Sequence, residues 1–259
     1  MRILRLANSN DFVSYVSDEQ RTYRYVEQAL EALTGEKVET IRKPFQPAEN
    51  LPDIVERWVN EYQPDIVFLM VNSYWFNHES VPLKLKRRFG RVGQVVGDAG
   101  LNAADRPWFA ERWWFHKARY FLQATIGGET PYTPEYVLEN MEAVIRRVLR
   151  YEHVHLVVRS SSGGRERPDL PKKVRERREV RRKFVAERIE QLCQQLNVAN
   201  MSGKTRRKYN KEQRAGDRVH SNEAGHAETG QREAQFMVAF WRSLHPERYG
   251  QPGEPANSR

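Results

Sequence analysis

The chain has 259 residues, 39% hydrophobic and 30% charged, which is enough to bury one substantial core. No apolar run is long enough to cross a bilayer, and the N-terminus lacks the basic, apolar, small-residue order of a secretory signal, so a cytoplasmic protein without a membrane span is expected. The formal charge of +9 and the pI near 9.7 suit a polyanionic partner on any fold, while the single cysteine, Cys193, excludes an intramolecular disulfide. Cys193 stands at helical spacing among apolar residues and reads as core.

In chain order, RILRLAN is a short apolar run with Leu4 and Leu6 that reads as a buried first strand ending at Ser9. Residues 19–33 repeat Tyr23, Val26, Ala29, Leu30 and Leu33 at helical intervals, and Gly35 follows as a stop signal. KVETI is a candidate second strand, and residues 51–62 form a second helix with Ile54, Val55, Trp58 and Val59 on one side. IVFLMV, opened by Pro64 and Asp65, is rich in β-branched and bulky residues and suits a strand covered on both faces. Residues 88–128, rich in glycine and tryptophan, fit no regular alternation and read as an inserted or cap segment.

Residues 133–149 then show a helical stripe through Val137, Met141, Val144, Ile145 and Val148, and VHLVV reads as another strand. Residues 170–196 carry a helical stripe through Val185, Ile189, Leu192 and Leu196. Within them KKVRERREVRRK interleaves cations with Glu176 and Glu179, as a solvated helix face does. This run and KTRRKYNKEQR hold most of the excess charge but lack the regular aromatic interleaving of a single-strand binder, so nucleic acid is not expected as a partner. A last helix spans residues 222–244, and QPGEPANSR at the end reads as a frayed tail over residues 250–259.

Strands alternating with helices imply a three-layer α/β/α sandwich around a mostly parallel sheet, formed by one domain over residues 1–249. Functional groups of such sheets gather just past the carboxyl ends of the strands, where Ser9 and Asn72 lie on two separate strands.

Two segments carry chemistry. GDRVHSNEAGH places Asp217 three residues before His220 and just ahead of a helix. That spacing in a turn lets a carboxylate accept from Nδ1–H and leaves Nε2 free as a base. The same segment also reads as a capped turn, with Ser221 or Asn222 satisfying the first amides of the helix. ANSND places the Ser9 hydroxyl at a strand-to-loop junction whose flanking N–H groups can face an oxyanion, or where it simply makes a local turn bond. A serine needs a base to become a nucleophile, so Ser9 and the Asp217/His220 pair gain meaning only together.

Taken together the two ends resemble the SGNH, or GDSL-like, hydrolases over nearly the whole chain, which implies that the mostly parallel sheet is flavodoxin-like. Ala7-Asn8-Ser9 stands where that family has Gly-Asp-Ser, and Asp217, His220, Asn222, Gly225 and His226 match its closing block. DIVERWVNEYQPDIVFLM resembles the stretch leading to the family's third block. The resemblance implies that Ser9, His220 and Asp217 form a triad cleaving an acyl or acetyl ester of a small molecule, carbohydrate or lipid without a cofactor. The Ser9 N–H and Asn72 would serve as oxyanion donors. The chain departs from the family in two places. Tyr74 falls where the third-block asparagine is expected, with Asn72 two residues early, and there is no glycine between Gly35 and Gly90 to act as the second oxyanion donor. A backbone N–H near Phe45 or Gln46 is the substitute available.

Tyr74 and Trp75 are candidates to line a substrate pocket, as are Trp108, Phe109, Trp113, Trp114 and Phe115, although all of these also suit ordinary packing. The remaining histidines lack ligand spacing and no metal site is expected, and His226 reads as structural rather than as a second base. The paired glycines 127–128 and 163–164 read as turns. A second reading stays open, in which a catalytically weak relative uses its basic surface to bind an acidic partner such as nucleic acid or an anionic glycan.

Overall fold

The computed structural model describes residues 1–12, 14–89, 117, 121–123, 125, 127–160, 170–202, 210–215 and 220–249, and the structural statements that follow concern these. The first strand, β1 (Arg2–Ala7), is buried from Ile3 onward. Two short 3-10 turns, Ser9–Asp11 and Asp18–Gln20, follow before α1 (Thr22–Thr34). The apolar periodicity from residue 19 overruns the helix because Arg21 is extended (φ −75°, ψ 153°) and breaks it from the turn before. Gly35, at φ 72°, ends α1 in the left-handed region that glycine adopts without strain.

Strand β2 (Glu39–Pro44) starts two residues later than its composition suggests, because pairing with β1 sets its limits from Arg2↔Glu39 to Ala7↔Pro44. It lies at the sheet edge, where a proline is tolerated. Next come α2 (Leu51–Tyr62), the wholly buried β3 (Ile66–Met70), and two helices that the sequence pattern did not reveal, α3 (Tyr74–Asn77) and α4 (Val81–Arg88). The chain continues through α5 (Pro134–Val148), capped by Thr133, then β4 (His155–Arg159), α6 (Lys172–Gln195) and the two-residue β5 (Ala199–Asn200). It closes with α7 (Glu223–Leu244) and the short α8 (Pro246–Tyr249).

The five strands form one all-parallel sheet in the order β2-β1-β3-β4-β5, the flavodoxin-like arrangement. Alternate residues of each strand feed two cores. Leu4, Leu6, Val67, Leu69, Leu156 and Val158 pack with α2, α5 and α6, while Ile3, Ile66, Phe68, Met70 and Val157 pack with α1 and α7. Each fully buried side chain of this size contributes about 1.5–3 kcal/mol of transfer free energy. This is why the three central strands read as continuous apolar runs. Cys193 is in the first core, where burial pushes its thiol up to about 11. Among the described residues no helix is long and apolar enough to cross a membrane.

The basic run that opens α6 is not only a solvated face. Glu79, 1% exposed, accepts from Arg177 Nε at 3.0 Å and Nη2 at 2.7 Å and also from Arg181, while Arg178 donates to the Asn77 carbonyl at 2.7 Å. A buried carboxylate needs such partners to offset its desolvation. The Glu79 carbonyl also accepts from Gln123 Nε2 at 2.6 Å, so the segment after α3 is bonded to the end of the 88–128 stretch and to α6. Most of that stretch, residues 163–164 and the tail 250–259 lie outside the described residues, and with them Trp108, Phe109, Trp113, Trp114 and Phe115.

Candidate active site

Strand register brings three loops to one level. Leu6 lies opposite both Lys43 and Leu69, so Ser9, Gln46 and Asn72, each three residues further on, leave neighbouring strands side by side at their carboxyl ends. Ser9 opens the first 3-10 turn and is exposed. Asn8 caps that turn, its Oδ1 accepting from the Asn10 N–H at 3.0 Å, and the Phe12 N–H donates to the Ser9 carbonyl at 3.0 Å.

The opposite wall comes from the turn before α7. Arg214 and Ser221 form an antiparallel bridge, and the His220 carbonyl accepts from the Ala215 N–H at 3.0 Å. Asn222 Oδ1 caps α7 by accepting from the Gly225 N–H at 3.1 Å, and its amide donates to the Glu212 carbonyl at 2.5 Å. Held in this way, His220 Nε2 is 3.0 Å from Ser9 Oγ across 211 residues of sequence. At that distance the hydroxyl can donate to a neutral imidazole whose Nδ1 carries the proton. The Tyr15 ring flanks the imidazole, with centroids 5.7 Å apart. Asp217, the carboxylate expected at Nδ1, lies outside the described residues.

The other expected residues separate into surface and core. The Asn72 Oδ1 accepts from the Tyr74 N–H at 3.0 Å, which leaves the –NH2 group as the donor end of that side chain. Tyr74 is half exposed and stacks on His78 at 4.5 Å. Trp75, by contrast, is 5% exposed and meets the Phe45 ring edge-on at 4.9 Å in the first core, so it is a packing residue. Phe45 is itself partly buried there, and Gln46 is exposed. His226 is buried on α7, its Nδ1 accepting from the Thr22 N–H at 3.2 Å and lying 3.0 Å from Thr22 Oγ1, a structural role. No group of three or more His, Cys, Asp or Glu among the described residues is arranged to hold a metal ion.

Beneath the Ser9 turn is a chain of buried charges that the sequence pattern missed. Arg5 Nε donates to Asp11 Oδ2 at 3.2 Å and Arg5 Nη1 to Glu233 Oε2 at 2.7 Å, and Glu233 also accepts from Arg159. Arg5, Asp11 and Glu233 are each 3% exposed or less, and the guanidinium of Arg5 sits 4.8 Å over the Phe68 ring. Burial acts to raise the Glu233 carboxyl, but Arg5 and Arg159 outweigh it and hold the group below the usual carboxylate range. The Ser9 turn is thus joined through Asp11 to β1, and through Arg5 to α7.

No protein-family model matches the chain, and no curated protein matches it. Among solved structures it is similar to the psychrotrophic esterase EstA from Pseudoalteromonas sp., inhibited by monoethylphosphonate. That likeness has a TM-score of 0.53 and 8% identity, over 93% of this chain and 98% of that one. It is similar to TesA with a TM-score of 0.51 and 10% identity, over 95% and 99% of the two chains. A catalytic mutant of Axe2, an acetylxylan esterase from Geobacillus stearothermophilus, gives a TM-score of 0.50 and 14% identity over 98% and 97%. At these identities the likeness is one of fold. The chain has the three-layer fold of the SGNH hydrolases.

Proposed function

We propose that the chain is a serine hydrolase that cleaves acyl or acetyl esters. Ser9 Oγ attacks the ester carbonyl carbon while its proton passes to His220 Nε2; the tetrahedral adduct collapses to an acyl-serine, and the alcohol leaves with that proton. Water then attacks the acyl-serine, giving its proton to His220, and the acid is released as the proton returns to Ser9. Asp217 accepts from Nδ1–H and holds the tautomer in which Nε2 is the base. The Ser9 N–H and the Asn72 amide are the oxyanion donors, each contributing about 100- to 1000-fold to rate. Of the two aromatic residues Tyr74 and Trp75, Tyr74 is at the surface beside Asn72 and is the one that can meet substrate.

The observation that supports the reading is the 3.0 Å separation of Ser9 Oγ and His220 Nε2 at the carboxyl end of a parallel sheet. The fold it shares with EstA, TesA and Axe2 is consistent with ester chemistry. The substrate of this reading is a small-molecule, carbohydrate or lipid ester. Replacing Ser9→Ala removes the attacking atom from an exposed turn, so turnover of p-nitrophenyl acetate disappears while the melting temperature stays within about 2 °C, as for a surface substitution. Wild-type rates in the folded Ser9→Ala protein would contradict the reading.

A further inference from the structure

An imidazole 3.0 Å from a hydroxyl is useful only if two loops from opposite ends of the chain keep that spacing. On the His220 side one peptide unit is held at both of its polar ends. Its carbonyl, that of His220, accepts from the Ala215 N–H at 3.0 Å, and its N–H, that of Ser221, donates to Asn10 Oδ1 at 2.9 Å. Asn10 directly follows Ser9, and its own N–H is fixed on Asn8 Oδ1 at 3.0 Å. The residue after the hydroxyl therefore grips the residue after the imidazole.

We propose that Asn10 is a positioning residue, whose side-chain carbonyl sets the approach of His220 to Ser9. This rests on the hydrolase reading above. The bond needs only an acceptor of the right length at position 10. Aspartate supplies one and alanine does not, and because Asn10 and Ser221 are only partly buried, water can take up a released Ser221 N–H.

The experiment compares wild type, Asn10→Ala and Asn10→Asp on p-nitrophenyl acetate, alongside amide hydrogen exchange at Ser221. Asn10→Ala is expected to lose about 10- to 100-fold in kcat, the cost of a displacement near 1 Å, with KM within about twofold. Asn10→Asp is expected to recover most of that loss. Ser221 exchange should be slow in wild type and Asn10→Asp and fast in Asn10→Ala. An active wild type matched by an equally active Asn10→Ala overturns the inference and leaves the hydrolase reading intact. A loss that Asn10→Asp does not recover, or that comes without faster Ser221 exchange, also overturns it. A wild type inert on esters overturns the hydrolase reading and, with it, the catalytic meaning of the Asn10 bond.

Discussion

A serine hydroxyl is almost wholly protonated at neutral pH, so the distance from Ser9 to a neutral nitrogen matters more than its exposure. The second histidine of the closing block, His226, is buried where His220 is not, and shows how differently placed imidazoles divide the work. His226 Nδ1 accepts from Thr22, the first N–H of α1, which has no partner within its own helix. Burial lowers the His226 pKa from the ordinary histidine value, only partly opposed by Asp11, and keeps the ring neutral as an acceptor. The unfolded chain takes up this proton near pH 6.5, so the contribution is complete above that pH and is lost as pH falls below it toward the lower folded value. Thermal melts from pH 7.5 to 5.5 should therefore show a steeper loss of stability in wild type than in His226→Asn, by at most about 1.4 kcal/mol per pH unit. Parallel curves would contradict this role. The match at Gly225 and His226 was legible from the DRVHSNEAGH pattern, whereas Asn10 was not, because its partner is the backbone N–H of Ser221, a group that every residue but proline carries.

Between elements, the tightest constraint near the site is at the start of α7. A Cβ on Gly225 would sit 2.5 Å from the Gln213 carbonyl oxygen and 2.9 Å from Ser221 Cβ, and the first is backbone that cannot turn aside. Gly225→Ala gains about 1 kcal/mol in helix propensity and costs about 1–3 kcal/mol in overpacking. We expect a net fall in melting temperature together with reduced ester turnover, since the displaced segment, residues 213–215, includes Ala215, whose N–H holds the His220 carbonyl. A variant as stable and active as wild type would show that the contact is relaxed without cost. The long helices and the buried strands were legible because their faces repeat at 3.6 or run continuously apolar. The short α3, α4 and β5 were not, because four, eight and two residues hold too few periods to stand out. The role of the basic half of α6 escaped for another reason: Arg177 and Arg181 look solvated until Glu79, 98 and 102 residues earlier, is placed beneath them.

Across the whole molecule, parallel pairing is what converts sequence order into a site. Every strand ends on the same side, so the loops after β1, β2 and β3 meet there, and the parallel pairing was readable from the βα alternation while the order β2-β1-β3-β4-β5 was not. The charges joining β1, β4 and α7 were not readable, because Arg5 and Glu233 are 228 residues apart and each looks like an ordinary polar residue in its own element. They explain how a turn as exposed as that of Ser9 stays anchored: Asp11, two residues on, is buried against Arg5. The measurement closest to the central claim is the mass-spectrometric location of a fluorophosphonate adduct on the full chain. Attack by Ser9 Oγ forms an O–P bond, expels fluoride and passes the hydroxyl proton to His220. The adduct is expected on the peptide that contains Ser9, absent in Ser9→Ala and formed far more slowly in His220→Ala. An unlabelled wild type, or a label unchanged by Ser9→Ala, would contradict it.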